Sequence, residues 1–200
     1  MHAPLILASS SPYRKELLSR LGLDFATQTP NVDETPLGGE SFVNTAIRLA
    51  REKALWIAKR HPEAIVIGAD QVAVCNDQRL DKPGTNAHAL EQLQLQRGQT
   101  SVFYTAVCVA GLGGDRTEEA MVPTRVRFRG VEELPDTLLQ RYIEIERPLD
   151  CAGSAKSEGL GITLISAIEG SDPTALIGLP LIALTEILNR FGVSALKHYP

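Results

Sequence analysis

Leu5-Ile-Leu-Ala-Ser-Ser-Ser-Pro-Tyr-Arg-Lys-Glu-Leu-Leu18 passes from an apolar run through three serines and a proline into a helical pattern. It predicts a strand over about residues 4–8, a tight turn, and a helix over 12–21 with Leu17, Leu18 and Leu21 as its apolar stripe and Gly22 just past its end. Ser11 suits the N-cap, and Pro12 suits the first helical position, where a missing N–H costs nothing. The third helical position favours an acid that complements the positive end of the helix dipole. Here it holds Arg14, followed by Lys15. Two cations at that end fit an anion bound on free backbone N–H groups. They equally fit a plain βα turn with solvated charges, and this segment alone leaves both readings open.

Downstream, residues 24–28 read as a short strand and 29–40 as a Pro/Gly-rich loop carrying Asp33 and Glu34. A long amphipathic helix follows over about 41–60, stopped by His61-Pro62, and then a β-branched strand over 64–76. A turn over 77–85 contains Lys82-Pro83-Gly84, and a helix near 86–97 ends at Gly98. Two long strand-like stretches flank 111–116, which predicts a hairpin across 100–129. Residues 135–146 read as a helix, 148–161 as a loop, 162–168 as a strand and 178–191 as a final helix. Early alternation of strands and helices with a hairpin in the middle predicts a mixed α/β sheet. A single domain of two lobes is expected, its weakest boundaries near 76–86 and 130–135.

Composition narrows the class of partner. With 20 Lys and Arg against 24 Asp and Glu, the net charge is −4, which argues against a nucleic-acid binder relying on bulk charge. Cys75, Cys108 and Cys151 are scattered and lack metal-ligand spacing, so neither a disulfide scaffold nor a zinc site is expected. His2, His61, His88 and His198 sit in polar or terminal settings. No apolar run reaches membrane-spanning length, and the first ten residues lack the apolar core of a signal peptide. A soluble cytoplasmic protein is the expectation.

Two residues break their local pattern. Lys53 falls within the apolar stripe of Ala46, Leu49, Ala50, Ala54 and Ile57, so it either snorkels to an edge or meets a negative partner. Asp70 lies in Ile65-Val-Ile-Gly-Ala-Asp-Gln-Val-Ala-Val74, a strand apolar on both faces. A carboxylate there must be paired, metal-bound or functional, and a structural ion pair with Lys53 is the plainest alternative to function. Cys151, in Asp-Cys-Ala-Gly-Ser, has no histidine in a shared motif and reads as a small buried residue. An anion-binding turn, several cations and acids able to hold a hard cation together suit phosphate chemistry. No P-loop motif is present.

These segments resemble the Maf-type nucleoside triphosphate pyrophosphatases. L-I-L-A-S-S-S-P-Y-R, V-D-E at 32–34, A-R-E-K-A at 50–54, G-A-D-Q at 68–71, K-P-G at 82–84, C-A-G-S-A-K-S-E-G-L-G-I at 151–162 and I-G-L-P-L at 177–181 match in order and spacing. The resemblance implies a mixed α/β sheet with a deep cleft between two lobes, similar to inosine triphosphate pyrophosphatases. It also implies cleavage between the α and β phosphates with a divalent cation, Mg, Mn or Co. Carried over by motif, Ser9, Arg14, Lys53 and Lys82 contact phosphates. Glu34 and Asp70 bind metal or activate water, with Asp70 the expected general base.

Tyr13, Gln71 and Glu158 differ from the pattern of pyrimidine-directed members and are similar to the subgroup acting on 7-methyl-GTP, in which tryptophan stands at the position of Tyr13. Methylation at N7 makes guanine cationic, which suits stacking on an aromatic ring and a carboxylate accepting from N1–H and the exocyclic amine. The alternatives kept beside this reading are a dTTP, UTP or broad noncanonical nucleotide pyrophosphatase and a nucleotide-binding regulator of cell division. The partner expected is a nucleoside triphosphate, with no nucleic acid and no membrane. The oligomeric state stays open, a homodimer being one option.

Overall fold

A computed structural model describes residues 3–198, apart from the side chain of His198, so His2 lies outside the described residues. The first strand and helix form where the local chemistry directs. β1 (Leu5–Ala8) is buried along its whole length. It leads to α1 (Pro12–Ser19), whose N-cap hydroxyl on Ser11 accepts the Arg14 N–H at 3.4 Å. Gly22 takes φ 64°, the left-handed turn expected after the helix.

β2 (Ala26–Gln28) pairs parallel with β1, and β1 pairs parallel with β3 (Ile65–Cys75). Between them lies α2 (Phe42–Ala58), capped by Ser41. The remaining elements are β4 (Gln78–Leu80), α3 (Asn86–Gln96), β5 (Thr100–Gly111), β6 (Arg116–Phe128), α4 (Asp136–Glu146), β7 (Ile165–Gly170), α5 (Leu181–Arg190) and α6 (Ala195–His198). The sheet is mixed and seven-stranded, in the order β2-β1-β3-β5-β6-β7, with β4 paired antiparallel to the end of β3.

The chain divides into two compact units. Residues 1–70, 105–122 and 172–200 form the first, and 71–104 with 123–171 the second. Three divisions fall within β3, β5 and β6 and a fourth after Ser171, just past β7, none of them in the loops at 76–86 and 130–135. At three of the four divisions a continuous strand serves both units, so composition offers no linker to detect there.

In the first unit, alternation along the strands sorts side chains by face. Leu5, Leu7, Ile65, Ile67 and Ala69 join Leu17 and Leu18 of α1 and Leu184, Ile187 and Leu188 of α5 in one apolar cluster. Residues of β3 on the opposite face, Gly68 and Asp70, turn toward α2. At Gly68 a Cβ would lie 2.6 Å from the Ala54 backbone N and closer still to the Ala50 carbonyl oxygen, so only glycine lets the helix approach this strand.

In the second unit, α3 packs on α4 and on the short 3-10 turn Ala152–Ser154. Arg97 donates to Asp136 at 2.6 Å and to the Leu134 carbonyl at 2.9 Å. β7 pairs antiparallel with β6.

Three local expectations shift. Asn76 and Asp77, at φ 50° and 58°, close a two-residue hairpin and add β4 inside the stretch read as a turn. The run Leu160–Leu164 is a 3-10 helix, so β7 begins at Ile165 rather than 162. Pro180 is the N-cap of α5, which delays that helix to Leu181.

Candidate active site

The turn after β1 sets the hydroxyls of Ser9 and Ser11 against its own backbone. Ser9, buried, accepts the Ser11 N–H on its hydroxyl at 3.1 Å. Arg14, one turn into α1, donates Nε to the Gly178 carbonyl at 2.9 Å. Gly178 sits at φ 121°, a conformation suited to glycine, and its carbonyl was not legible as a partner from the sequence. The segment before α5 is itself fixed. Thr105 donates its hydroxyl to the Ala175 carbonyl at 2.9 Å, and Asp172 accepts the Ile182 N–H at 2.7 Å. With Nε committed, the terminal nitrogens of Arg14 are the ones left to an anion. Burial lowers the pKa of this guanidinium, and the charges of Asp70 and Glu34 oppose that fall.

Lys53 and Asp70 meet. Lys53 Nζ lies 2.7 Å from Asp70 Oδ1 and 2.7 Å from Glu34 Oε1. The Lys53 and Asp70 side chains are 8% and 9% exposed, whereas that of Glu34 is 59% exposed. The buried pair is therefore anchored by α2 and β3, and the third charge arrives from an open loop. Face alternation explains the meeting: Gly68 admits the turn of α2 carrying Ala50 and Ala54, and Asp70, two residues on, then faces Lys53.

The loop bearing Glu34 is clamped to α2 by residues the sequence did not single out. Arg48 holds Glu40 through two bonds, Nε to Oε1 at 2.8 Å and Nη2 to Oε2 at 2.9 Å. Arg48 also donates to the Thr35 carbonyl at 3.2 Å, and the Thr35 N–H donates to Asp33 at 2.9 Å. Held by Arg48, the Glu40 carboxyl falls from its ordinary 4.5 to about 2. A bidentate Glu–Arg pair eight residues apart across a loop end has no periodic signature.

Of the other expected residues, Gln71, Lys82 and Glu158 belong to the second unit and Tyr13 to the first. β3 delivers Asp70 to the first unit and the next residue, Gln71, to the second. Lys82 and Glu158 are exposed on loops of that unit, and Tyr13, on α1 of the first, is half-buried. Burial pushes the Cys108 and Cys151 thiols up to about 12, away from the reactive thiolate form.

The two carboxylates nearest a place for a divalent cation are Glu34 and Asp70, and in this structure both are paired with Lys53. Their oxygens converge on the Lys53 ammonium, and among the described residues no group of three or more His, Cys, Asp or Glu forms a cage. One or two carboxylates completed by phosphate oxygens and water is the donor set of Mg²⁺ at nucleotide sites. Also among the described residues, no helix is long and apolar enough to cross a membrane.

Known proteins resemble this chain along nearly its whole length. The Maf family profile, described as Maf-like protein, matches residues 4–191. A 7-methyl-GTP pyrophosphatase of Aromatoleum aromaticum is 54% identical over 192 residues, 96% of this chain and 97% of that protein. One of Cupriavidus metallidurans is 54% identical over 188 residues, 94% of this chain and 93% of its own. One of Ralstonia nicotianae is 50% identical over all 200 residues and 98% of its own. Among solved structures, a HAM1 protein from Coxiella burnetii aligns at TM-score 0.43 and 17% identity, over 64% of this chain and 73% of its own. The fold description rests on the strand order above, not on that distant alignment. With its profile matched from β1 to the end of α5 and relatives alike along nearly their whole length, the chain belongs to the Maf family.

Proposed function

We propose that this protein hydrolyses 7-methyl-GTP to 7-methyl-GMP and pyrophosphate. The observation that carries the chemistry is the buried Lys53 ammonium bound by both Asp70 and Glu34, with Arg14 close enough to feel both carboxylates. The substrate is supported by the activity named for the relatives and by Tyr13 and Glu158, the two side chains suited to a cationic purine.

The Arg14 guanidinium and Lys53 ammonium bind phosphate oxygens, with Arg14 oriented by the Gly178 carbonyl. Ser9 and Lys82 add contacts to the phosphate chain. Asp70 accepts the proton of the attacking water on a carboxylate oxygen, as general base. Glu34 and Asp70 would hold a divalent cation, which supplies charge neutralisation at the phosphates. Tyr13 stacks on the base, Glu158 accepts from its N1–H and exocyclic amine, and Gln71 completes the selective set.

Product analysis tests the bond that breaks. Incubation of 7-methyl-GTP with Mg²⁺ is expected to yield 7-methyl-GMP and pyrophosphate in equal amounts. Release of 7-methyl-GDP and orthophosphate would overturn the assignment.

A further inference from the structure

α3 presents Gln92 and Gln96 four residues apart, on the side that packs against the Ala152–Ser154 turn. Gln92 Nε2 donates to the Asp81 carbonyl at 2.8 Å, and Gln92 Oε1 accepts from the Ser154 hydroxyl at 2.6 Å. This orientation of the amide is forced. A backbone carbonyl can only accept, so the NH₂ must face Asp81 and the oxygen is left to the hydroxyl. Asp81 directly precedes Lys82, and Ser154 lies four residues before Glu158. One half-buried side chain thus bridges the K-P-G turn and the loop that carries the base-reading carboxylate.

The surroundings make that bridge a matter of placement. Ser154 is fully buried at φ 57°, next to Gly153 at φ 74°, a conformation that costs a serine about 1 kcal/mol or more unless its neighbours hold it. Gln96, also fully buried, donates to the Gly153 carbonyl at 2.6 Å and accepts from Ser101 at 3.0 Å. Beyond the turn, Tyr142 accepts the Lys156 N–H at 2.9 Å and Glu146 accepts the Leu160 N–H at 2.7 Å. Glu158 therefore sits on a span tied at both ends. The Gly84 N–H also donates to the Leu149 carbonyl at 3.1 Å, so the two loops keep a backbone bond when a side chain is removed.

We propose that Gln92 is a positioning residue that couples Lys82 to Glu158, so that recognition of the base sets the phosphate-side cation and selectivity is expressed in kcat. This rests on the reading of Lys82 and Glu158 as nucleotide contacts. A cation held at a fixed distance from the base-reading carboxylate favours the substrate that fills both positions at once.

The test compares steady-state kinetics on 7-methyl-GTP and GTP for the full chain and two variants, after thermal melts. Gln92→Leu, which removes both arms of the bridge, is expected to reduce the kcat advantage of 7-methyl-GTP about fivefold, the scale of one net hydrogen bond, since losing either arm breaks the coupling. Ser154→Ala, which removes only the arm to the Glu158 loop, should reduce it by a similar factor, and the double variant should go no further. A purely structural role lowers both substrates equally and leaves the ratio unchanged, which would overturn the proposal, as would multiplicative losses. If Gln92→Leu does not fold, the ratio in Ser154→Ala decides alone. Failure of the underlying reading is seen separately, as a wild-type enzyme with no preference for 7-methyl-GTP over GTP.

Discussion

Lys53 Nζ and Asp70 Oδ1 lie 2.7 Å apart with both side chains buried, while the second carboxylate on the same ammonium, Glu34, is mostly in solvent. The two contacts share a distance and differ in surroundings, so their energetic weights should differ. Lys53→Met leaves Asp70 buried without a counter-charge and is expected to cost about 3–5 kcal/mol in urea unfolding. Glu34→Gln loses an exposed arm and should cost less than about 1 kcal/mol, while reducing pyrophosphate release. Equal destabilisation by the two changes would contradict this division.

Asp70→Asn separates charge from shape. The amide oxygen still accepts from Lys53 but is a poor proton acceptor, so turnover should fall about 10²–10⁴-fold with nucleotide binding retained. Full activity in this variant would remove Asp70 from the base role.

Gly68→Ala tests how the pair is assembled. The added Cβ would press on backbone of α2 at Ala50 and Ala54, atoms that cannot rotate away. Moving the helix parts Lys53 from Asp70, so overpacking of about 1–3 kcal/mol should come with loss of activity. A stable, fully active Gly68→Ala enzyme would show that the close approach is not needed.

The anomalies at Lys53 and Asp70 were visible in the sequence because each is a departure from a simple period, helical in one case and alternating in the other. An ion pair between them could be named from the sequence as one alternative, but not its geometry, which depends on how far along β3 the helix sits and so on Gly68. Ser11, Pro12 and the turn at Gly22 followed local rules and formed as expected. The supports of the site were hidden for a different reason. Gly178 contributes a carbonyl every residue has, and Gln92, Glu40 and Arg48 look like solvated polar residues until their partners are known. The stretch 162–168 read as a strand, yet its first three residues close the 3-10 helix Leu160–Leu164 and pairing with β6 starts at Ile165.

The Glu40–Arg48 clamp has a pH signature. Folding depresses the Glu40 carboxyl from 4.5 to about 2, so its contribution to stability is present above 4.5 and is lost as pH falls toward 2. Glu40→Gln should flatten the fall in stability across that acid window, measured by urea unfolding at successive pH values. An unchanged slope would mean that other carboxylates carry it.

The most direct measurement of the central claim is pyrophosphate release from 7-methyl-GTP, GTP, UTP and dTTP at equal concentration with Mg²⁺, for the wild type and Glu158→Gln. The account predicts that 7-methyl-GTP is turned over fastest by the wild type and that Glu158→Gln erodes this lead, because glutamine lacks the charge that favours a cationic base. Faster turnover of UTP or dTTP by the wild type would contradict it.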